Sequence, residues 1–112
     1  MICFPNAKIN IGLHVTEKRA DGYHNIESFF YPIGLCDVLE VIENKKGGKS
    51  NAEIKITGIE VQENSANNLC VKAYNLLKKE FDLPPVKIHL HKYIPIGAGL
   101  GGGSSDAVFF IP

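Results

Sequence analysis

An α+β fold, a mixed sheet with helices on one face, is predicted by three features of this 112-residue sequence. Apolar and polar residues alternate in several runs before residue 60 and again from Val86 to His91; the period turns helical between Asn67 and Phe81; and a glycine-rich loop then opens into a second helix start. One small domain is the expectation for this length, and a hydrophobic content of 45% supports a packed core.

The elements follow in order. Ile9, Ile11, Leu13 and Val15 alternate with Lys8, Asn10, Gly12 and His14 in a first strand within Met1–Val15, which Pro5 forces to an edge, to bend, or to begin beyond it. Asp21-Gly22 reverses the chain. Tyr23 to Gly34 is rich in aromatic and β-branched residues, Val38 to Glu43 makes a further short strand, and Glu53 to Thr57 alternates as a fourth. Between them, Lys45, Lys46, Gly47, Gly48 and Lys49 read as a solvated turn. A helix over Asn68–Phe81 places Leu69, Ala73, Leu76, Leu77 and Phe81 on one stripe, with Ser65, Asn67 and Asn68 as candidate caps and Pro84-Pro85 as its stop. Val86, Ile88 and Leu90 alternate with Lys87, His89 and His91 in a strand that runs into the glycine loop.

Charge and cysteine usage narrow the function classes. Twelve Lys and Arg balance twelve Asp and Glu, so no net field draws the protein to nucleic acid or to an anionic membrane, and any anion must be held locally. Cys3, Cys36 and Cys70 are odd in number and form no CxxC pair, which argues against a disulfide framework or zinc knuckle and for a cytoplasmic protein. Neither a signal peptide nor an apolar run near about 18 residues is present.

The loop Pro95-Ile96-Gly97-Ala98-Gly99-Leu100-Gly101-Gly102-Gly103-Ser104-Ser105 has the composition of an anion cradle. Its glycines let backbone N–H groups approach a ligand, and a helix opening near Ser104 offers unpaired N–H groups and the positive end of its dipole, with Asp106 as cap and dipole partner. A flexible linker is the alternative, disfavoured by the strand before the loop and the helix signal after it. Gly-Lys-Ser/Thr is absent from this loop, which excludes a Walker loop here, and a dinucleotide fingerprint belongs in a first strand-helix turn rather than near residue 97. Lys8 and Asn10 share a strand face about 7 Å apart; that strand is expected to be central, where an inward Lys8 serves a charge partner or a phosphate, whereas an exposed strand lysine fits equally well. Tyr23-His24 could stack on and hydrogen-bond to a planar base, although such a pair more often packs. His89 and His91 lack a third ligand near in sequence, so zinc is not expected. The segment from Asp106 to Pro112 is short for a helix, and it leaves Val108, Phe109, Phe110 and Ile111 without a later element to bury them, unless the tail folds back on the sheet.

Taken together, Pro5-Asn6-Ala7-Lys8-Ile9-Asn10-Ile11, Arg19-Ala20-Asp21-Gly22-Tyr23-His24 and Pro95 through Ala107 resemble the 4-diphosphocytidyl-2-C-methyl-D-erythritol kinases of the GHMP small-molecule kinase superfamily. The resemblance implies residues 1–112 as an N-terminal, ATP-binding domain of the ribosomal protein S5 domain 2 type, truncated after the glycine loop and without a C-terminal domain. It implies transfer of the γ-phosphoryl group of ATP to the 2-hydroxyl of the cytidyl substrate, a step of non-mevalonate isoprenoid synthesis. Lys8 would be catalytic, and Asn10, Tyr23 and His24 would bind substrate, with Leu13, Ile26 and Phe30 walling its methylerythritol end. Pro95, Ile96, Gly97, Ala98, Gly99, Leu100, Gly101, Gly102, Gly103, Ser104 and Ser105 would hold ATP. Ser104 or Ser105 would lie near Mg²⁺ carried as the ATP complex, the metal ligands themselves being left open. The family's catalytic aspartate, in a Gly-Ala-Asp-Val-Pro type block, is not among these residues, so the chain alone is expected to lack turnover. The implied partners are a cytidyl diphosphate sugar alcohol and ATP, with no nucleic acid or membrane partner and the oligomeric state open. The rival readings are another GHMP kinase and a non-catalytic nucleotide- or RNA-binding module.

Overall fold

The computed structural model describes residues 1–46, 51–59 and 67–111. Eight elements follow one another: β1 (Ile2–Cys3), β2 (Asn6–Lys18), β3 (His24–Cys36), β4 (Val38–Glu43), β5 (Ala52–Gly58), α1 (Leu69–Glu80), β6 (Val86–Lys92) and α2 (Gly102–Phe109). A four-stranded sheet has the order β1-β4-β6-β5, in which β6 pairs antiparallel to β4 and parallel to β5, and β2 and β3 form a separate antiparallel ribbon. The mixed sheet of the sequence analysis is therefore present, with α1 and Phe110, just past the end of α2, contributing to the same core cluster.

Pro5 divides the first run in two, since a residue without an N–H cannot continue the ladder, and β2 starts just beyond it. The reversal at Asp21-Gly22 is in place, with Gly22 at φ +89° and its N–H donating to the Arg19 carbonyl. The placement of Lys8 on a central strand is corrected, because β2 belongs to the two-stranded ribbon. Register shifts between Asn6 and Lys8, Ile11 and His14, and Val15 and Glu17 interrupt that ribbon's pairing.

The core lies between the sheet and the helices. Leu39, Val86, Ile88 and Leu90 meet Cys70, Val71 and Tyr74 of α1, and Phe110 closes the far end. Tyr74 is central: its hydroxyl donates to the Pro84 carbonyl at 2.9 Å, and its ring meets Phe110 edge-on at 6.1 Å. The helical stripe is thus rotated from the predicted one. Leu69, Leu76 and Phe81 are exposed and Cys70, Val71 and Tyr74 face inward, while Ala73 and Leu77 of the predicted stripe are partly buried against the core. Asn68 is the cap, its side chain accepting from the Cys70 N–H at 2.9 Å; Ser65, like residues 47–50 of the lysine-rich turn, lies outside the described residues. At the C-terminus Phe110 does fold back into the core, while Val108, Phe109 and Ile111 remain exposed.

The ribbon keeps the molecule elongated. Its radius of gyration is 15.8 Å, against about 13 Å for a compact chain of this length. Ile11, Leu13, Phe29 and Tyr31 lie open on the ribbon, Phe29 at 79% exposure. Among the described residues no helix is long and apolar enough to cross a membrane.

Leu39, fully buried between the helices and β6, is the sheet's most direct stability probe. Leu39→Ala is expected to cost about 2–5 kcal/mol, read as a lower urea midpoint at unchanged slope.

Candidate functional site

The glycine loop and Lys8 meet. The Lys8 backbone N–H donates to the Leu100 carbonyl at 3.0 Å, and its ammonium donates to the Gly99 carbonyl at 2.7 Å and to Asn10 Oδ1 at 3.2 Å. Phe30, directly across the ribbon from Asn10, places its ring 5.4 Å from the same ammonium. The shared face of Lys8 and Asn10, read from two-residue spacing, is thereby realised with a direct bond.

Between Pro95 and Gly101 the loop owes its path to glycine. Gly97, Gly99 and Gly101 have φ of +73°, +73° and +72°, a region L side chains avoid, and a Cβ on Gly101 would stand 3.1 Å from Lys8 Cε. The helix after the loop starts at Gly102, two residues earlier than the sequence suggested, and Gly101 caps it with no side-chain bond. Its first N–H groups are consequently left for a ligand or water. Ser104 is exposed on the first turn and Ser105 half-buried. Together the loop and the start of α1 enclose a cavity of about 240 Å³ with Ile56, Asn68, Leu69, Lys92 and Asp106 on its walls.

Asp106 is not the cap the sequence suggested. It sits in the second turn of α2, 2% exposed, and Oδ2 accepts from the Lys92 ammonium at 2.9 Å. Lys92, 3% exposed, also bonds Asp37, which is fully buried. Asp37 Oδ1 in turn accepts the backbone N–H groups of Tyr93 and Ile94, at 2.6 and 2.9 Å. This triad escaped sequence reasoning, yet one member of it had a signal: Val86, Ile88 and Leu90 define the inward face of β6, and Lys92 is the next residue on that face. Burial pushes the Asp106 carboxyl up to about 6, against the pull of Lys92 and with added repulsion from Asp37. Burial pulls Lys92 the other way, but its two carboxylates outweigh that and raise it above the ordinary range.

Tyr23 and His24 are not at this site. They lie at the hairpin end of the ribbon, Tyr23 at 74% exposure with its N–H bonded to Asp21 Oδ1, and the strand from Lys8 to Lys18 runs about 33 Å at about 3.3 Å per residue. Leu13 and Ile26 are exposed along the way, so of the three predicted wall residues Phe30 alone stands beside Lys8. His89 Nε2 and His91 Nδ1 both contact the Thr57 hydroxyl, at 2.9 and 2.7 Å, and among the described residues no group of three metal-ligating side chains occurs.

Residues 68–111 match the GHMP kinases N terminal domain. Over 111 residues, 99% of the chain, the sequence is 57% identical to a 4-diphosphocytidyl-2-C-methyl-D-erythritol kinase from Bacteroides thetaiotaomicron, and over 109 residues, 97% of the chain, it is 60% identical to one from Cytophaga hutchinsonii. These alignments cover 40% and 38% of the two relatives, so the chain spans about two-fifths of their length. A crystal structure of a 4-(cytidine 5'-diphospho)-2C-methyl-D-erythritol kinase superposes with a TM-score of 0.73 at 37% identity, covering 98% of this chain and 38% of that one.

The raised Asp106 carboxyl has a stability signature. A folded-state value near 6 against about 3.9 unfolded means that the folded chain binds more protons in that window, so this group's contribution falls as pH rises from about 4 to about 6. The stability of the unsubstituted chain minus that of Asp106→Asn, from urea melts, is expected to decline over that interval.

Proposed function

We propose that this chain, a member of the GHMP kinase family, supplies the phosphate loop and the catalytic lysine for transfer of the γ-phosphoryl group of ATP to the 2-hydroxyl of 4-diphosphocytidyl-2-C-methyl-D-erythritol. The observation that carries the reading is the bond from the Lys8 ammonium to the Gly99 carbonyl, which joins a cation at the ribbon's base to the loop. The named relatives support the choice of substrate.

Phosphoryl transfer demands positioning and charge stabilisation more than covalent help from the protein. Gly97, Gly99 and Gly101 open the backbone toward the phosphates, and the unpaired N–H groups of Gly102, Gly103 and Ser104 present the positive end of α2 to them. Lys8 stands where charge develops between the transferring group and the attacking hydroxyl, and Asn10 and Phe30 fix its direction. When ATP arrives, a phosphate oxygen is a stronger acceptor for that ammonium than the Gly99 carbonyl it replaces. Mg²⁺ would enter as the ATP complex, held by phosphate oxygens with Ser104 or Ser105 nearby; the sparse acidic lining fits an ion that keeps water and phosphate ligands. Tyr23 would stack on cytosine and His24 would hydrogen-bond to it, which requires the bulged ribbon to curl and bring its end toward the loop. No Gly-Ala-Asp block lies within these 112 residues, so they provide no general base of the family type.

Equilibrium titrations of the chain test this reading. Saturable binding of both ATP and CDP is expected, with Lys8→Met weakening ATP roughly tenfold by loss of a charge-assisted bond, and Tyr23→Ala weakening CDP alone. Absence of ATP binding, or CDP binding indifferent to Tyr23, would refute the assignment.

A further inference from the structure

Asp37, Lys92 and Asp106 come from three separated parts of the chain and enclose the glycine loop between them. Lys92 and the two residues after it precede the loop, and Asp106 follows it. Asp37 reaches in from the junction of β3 and β4 to hold the backbone N–H groups of Tyr93 and Ile94. The bonds that reach residues 95–100 themselves come from Lys8 on the opposite side. The helix start is also pressed against the near end of the loop, since a Cβ on Gly102 would stand 2.8 Å from Ile94 Cγ2 and 3.3 Å from Lys92 Nζ.

The arrangement is a poor choice for stability alone. Removing three charges from water costs several kcal/mol per ion before any pairing is counted, and apolar replacements of similar volume often match or exceed such clusters in stability. Asp106 Oδ1 is buried with no donor, a further cost of about 1–3 kcal/mol. What directional bonds give that apolar packing does not is a fixed register between the two ends of the loop.

We infer that Asp37, Lys92 and Asp106 are positioning residues that set the span between the two ends of the glycine loop, and so the spacing of the N–H groups that receive the ATP phosphates. The inference rests on the proposed function and adds to it residues outside the loop and the ribbon. Lys92 does not contact phosphate in this role; both of its bonds to side chains are spent on carboxylates. Asp37 Oδ1 keeps its two backbone donors whatever happens to Lys92, but Oδ2 has Lys92 as its partner, so Asp37 is neutralised together with the Lys92–Asp106 arm.

The decisive variant is Asp37→Asn/Lys92→Met/Asp106→Leu, which keeps an acceptor for the Tyr93 and Ile94 N–H groups and replaces the arm with apolar side chains of similar size, measured in the whole 112-residue chain beside the parent. The expected result is a cooperative melt near the parent's, ATP affinity about tenfold weaker, and CDP affinity within about twofold of the parent, because the cytidyl side of the site lies on the ribbon. A merely structural role would move the melt and leave the ATP-to-CDP ratio unchanged, and that result overturns the inference. Should the triple variant fail to fold, Asp106→Asn keeps the shape and one acceptor; it is expected to weaken ATP by about threefold, and unchanged ATP affinity there is equally fatal. A parent chain that binds CDP but not ATP removes the phosphate-loop reading itself and this inference with it, whereas a parent that binds both, beside variants that bind ATP equally well, removes the inference alone.

Discussion

The organising constraint is an ammonium buried where the apolar face of β6 would otherwise continue. Val86, Ile88 and Leu90 are covered by α1, and Lys92, next on the same face, cannot be left unpaired there. Its charge obliges the chain to bring in Asp37 from before β4 and Asp106 from α2, and these two contacts fix where the sheet, the loop and the second helix stand relative to one another. Gly58 reports the same crowding, since a Cβ there would lie 2.2 Å from the Lys92 carbonyl.

The two halves of the molecule obey different physics. The four-stranded sheet with its helices has a closed core, with Leu39, Tyr74, Ile88 and Leu90 almost without exposure. The β2–β3 ribbon has no such cover. Its cross-strand pairs Ile9–Tyr31 and Ile11–Phe29 contribute to pairing, yet a two-stranded unit with open apolar faces is marginal in water without a layer against it. Its base is firm because Ala7 is buried and Lys8 is tied to the loop by backbone and side chain.

Local pattern made much of this legible. Strands β4 and β6, the cap at Asn68, the turn at Asp21-Gly22 and the face shared by Lys8 and Asn10 each depend on neighbours a few residues away, and each is where alternation or cap chemistry puts it. What failed depended on distant partners. The inward stripe of α1 was settled by Tyr74 meeting Phe110 and the Pro84 carbonyl, and a helical wheel alone offers two stripes that both contain Leu77. Asp106 has the residue type of a cap, but the helix begins earlier than its serines imply and carries it one turn deeper, opposite Lys92. Asp37 carried no local mark, since its donors lie 55 to 57 residues away.

The same contrast separates the two parts of the proposed site. The loop, Asn10 and Phe30 all meet at Lys8, so the direction of its ammonium is fixed by contacts from both sides. Tyr23 and His24 are joined to them only along two strands whose register shifts three times and whose Gly12 sits at φ +65°. Each bulge adds local twist and bend, so the separation between hairpin and loop is set by whatever packs on the ribbon's apolar face, not by the ribbon's own hydrogen bonds. Under the proposed function, a ligand that touched both ends would contribute that missing cover itself, with its cytosine against Tyr23 and its phosphoryl acceptor against Lys8. Binding energy gathered at the hairpin would then be used to bring the hydroxyl to the lysine, which is how contacts remote from the chemistry come to affect its rate.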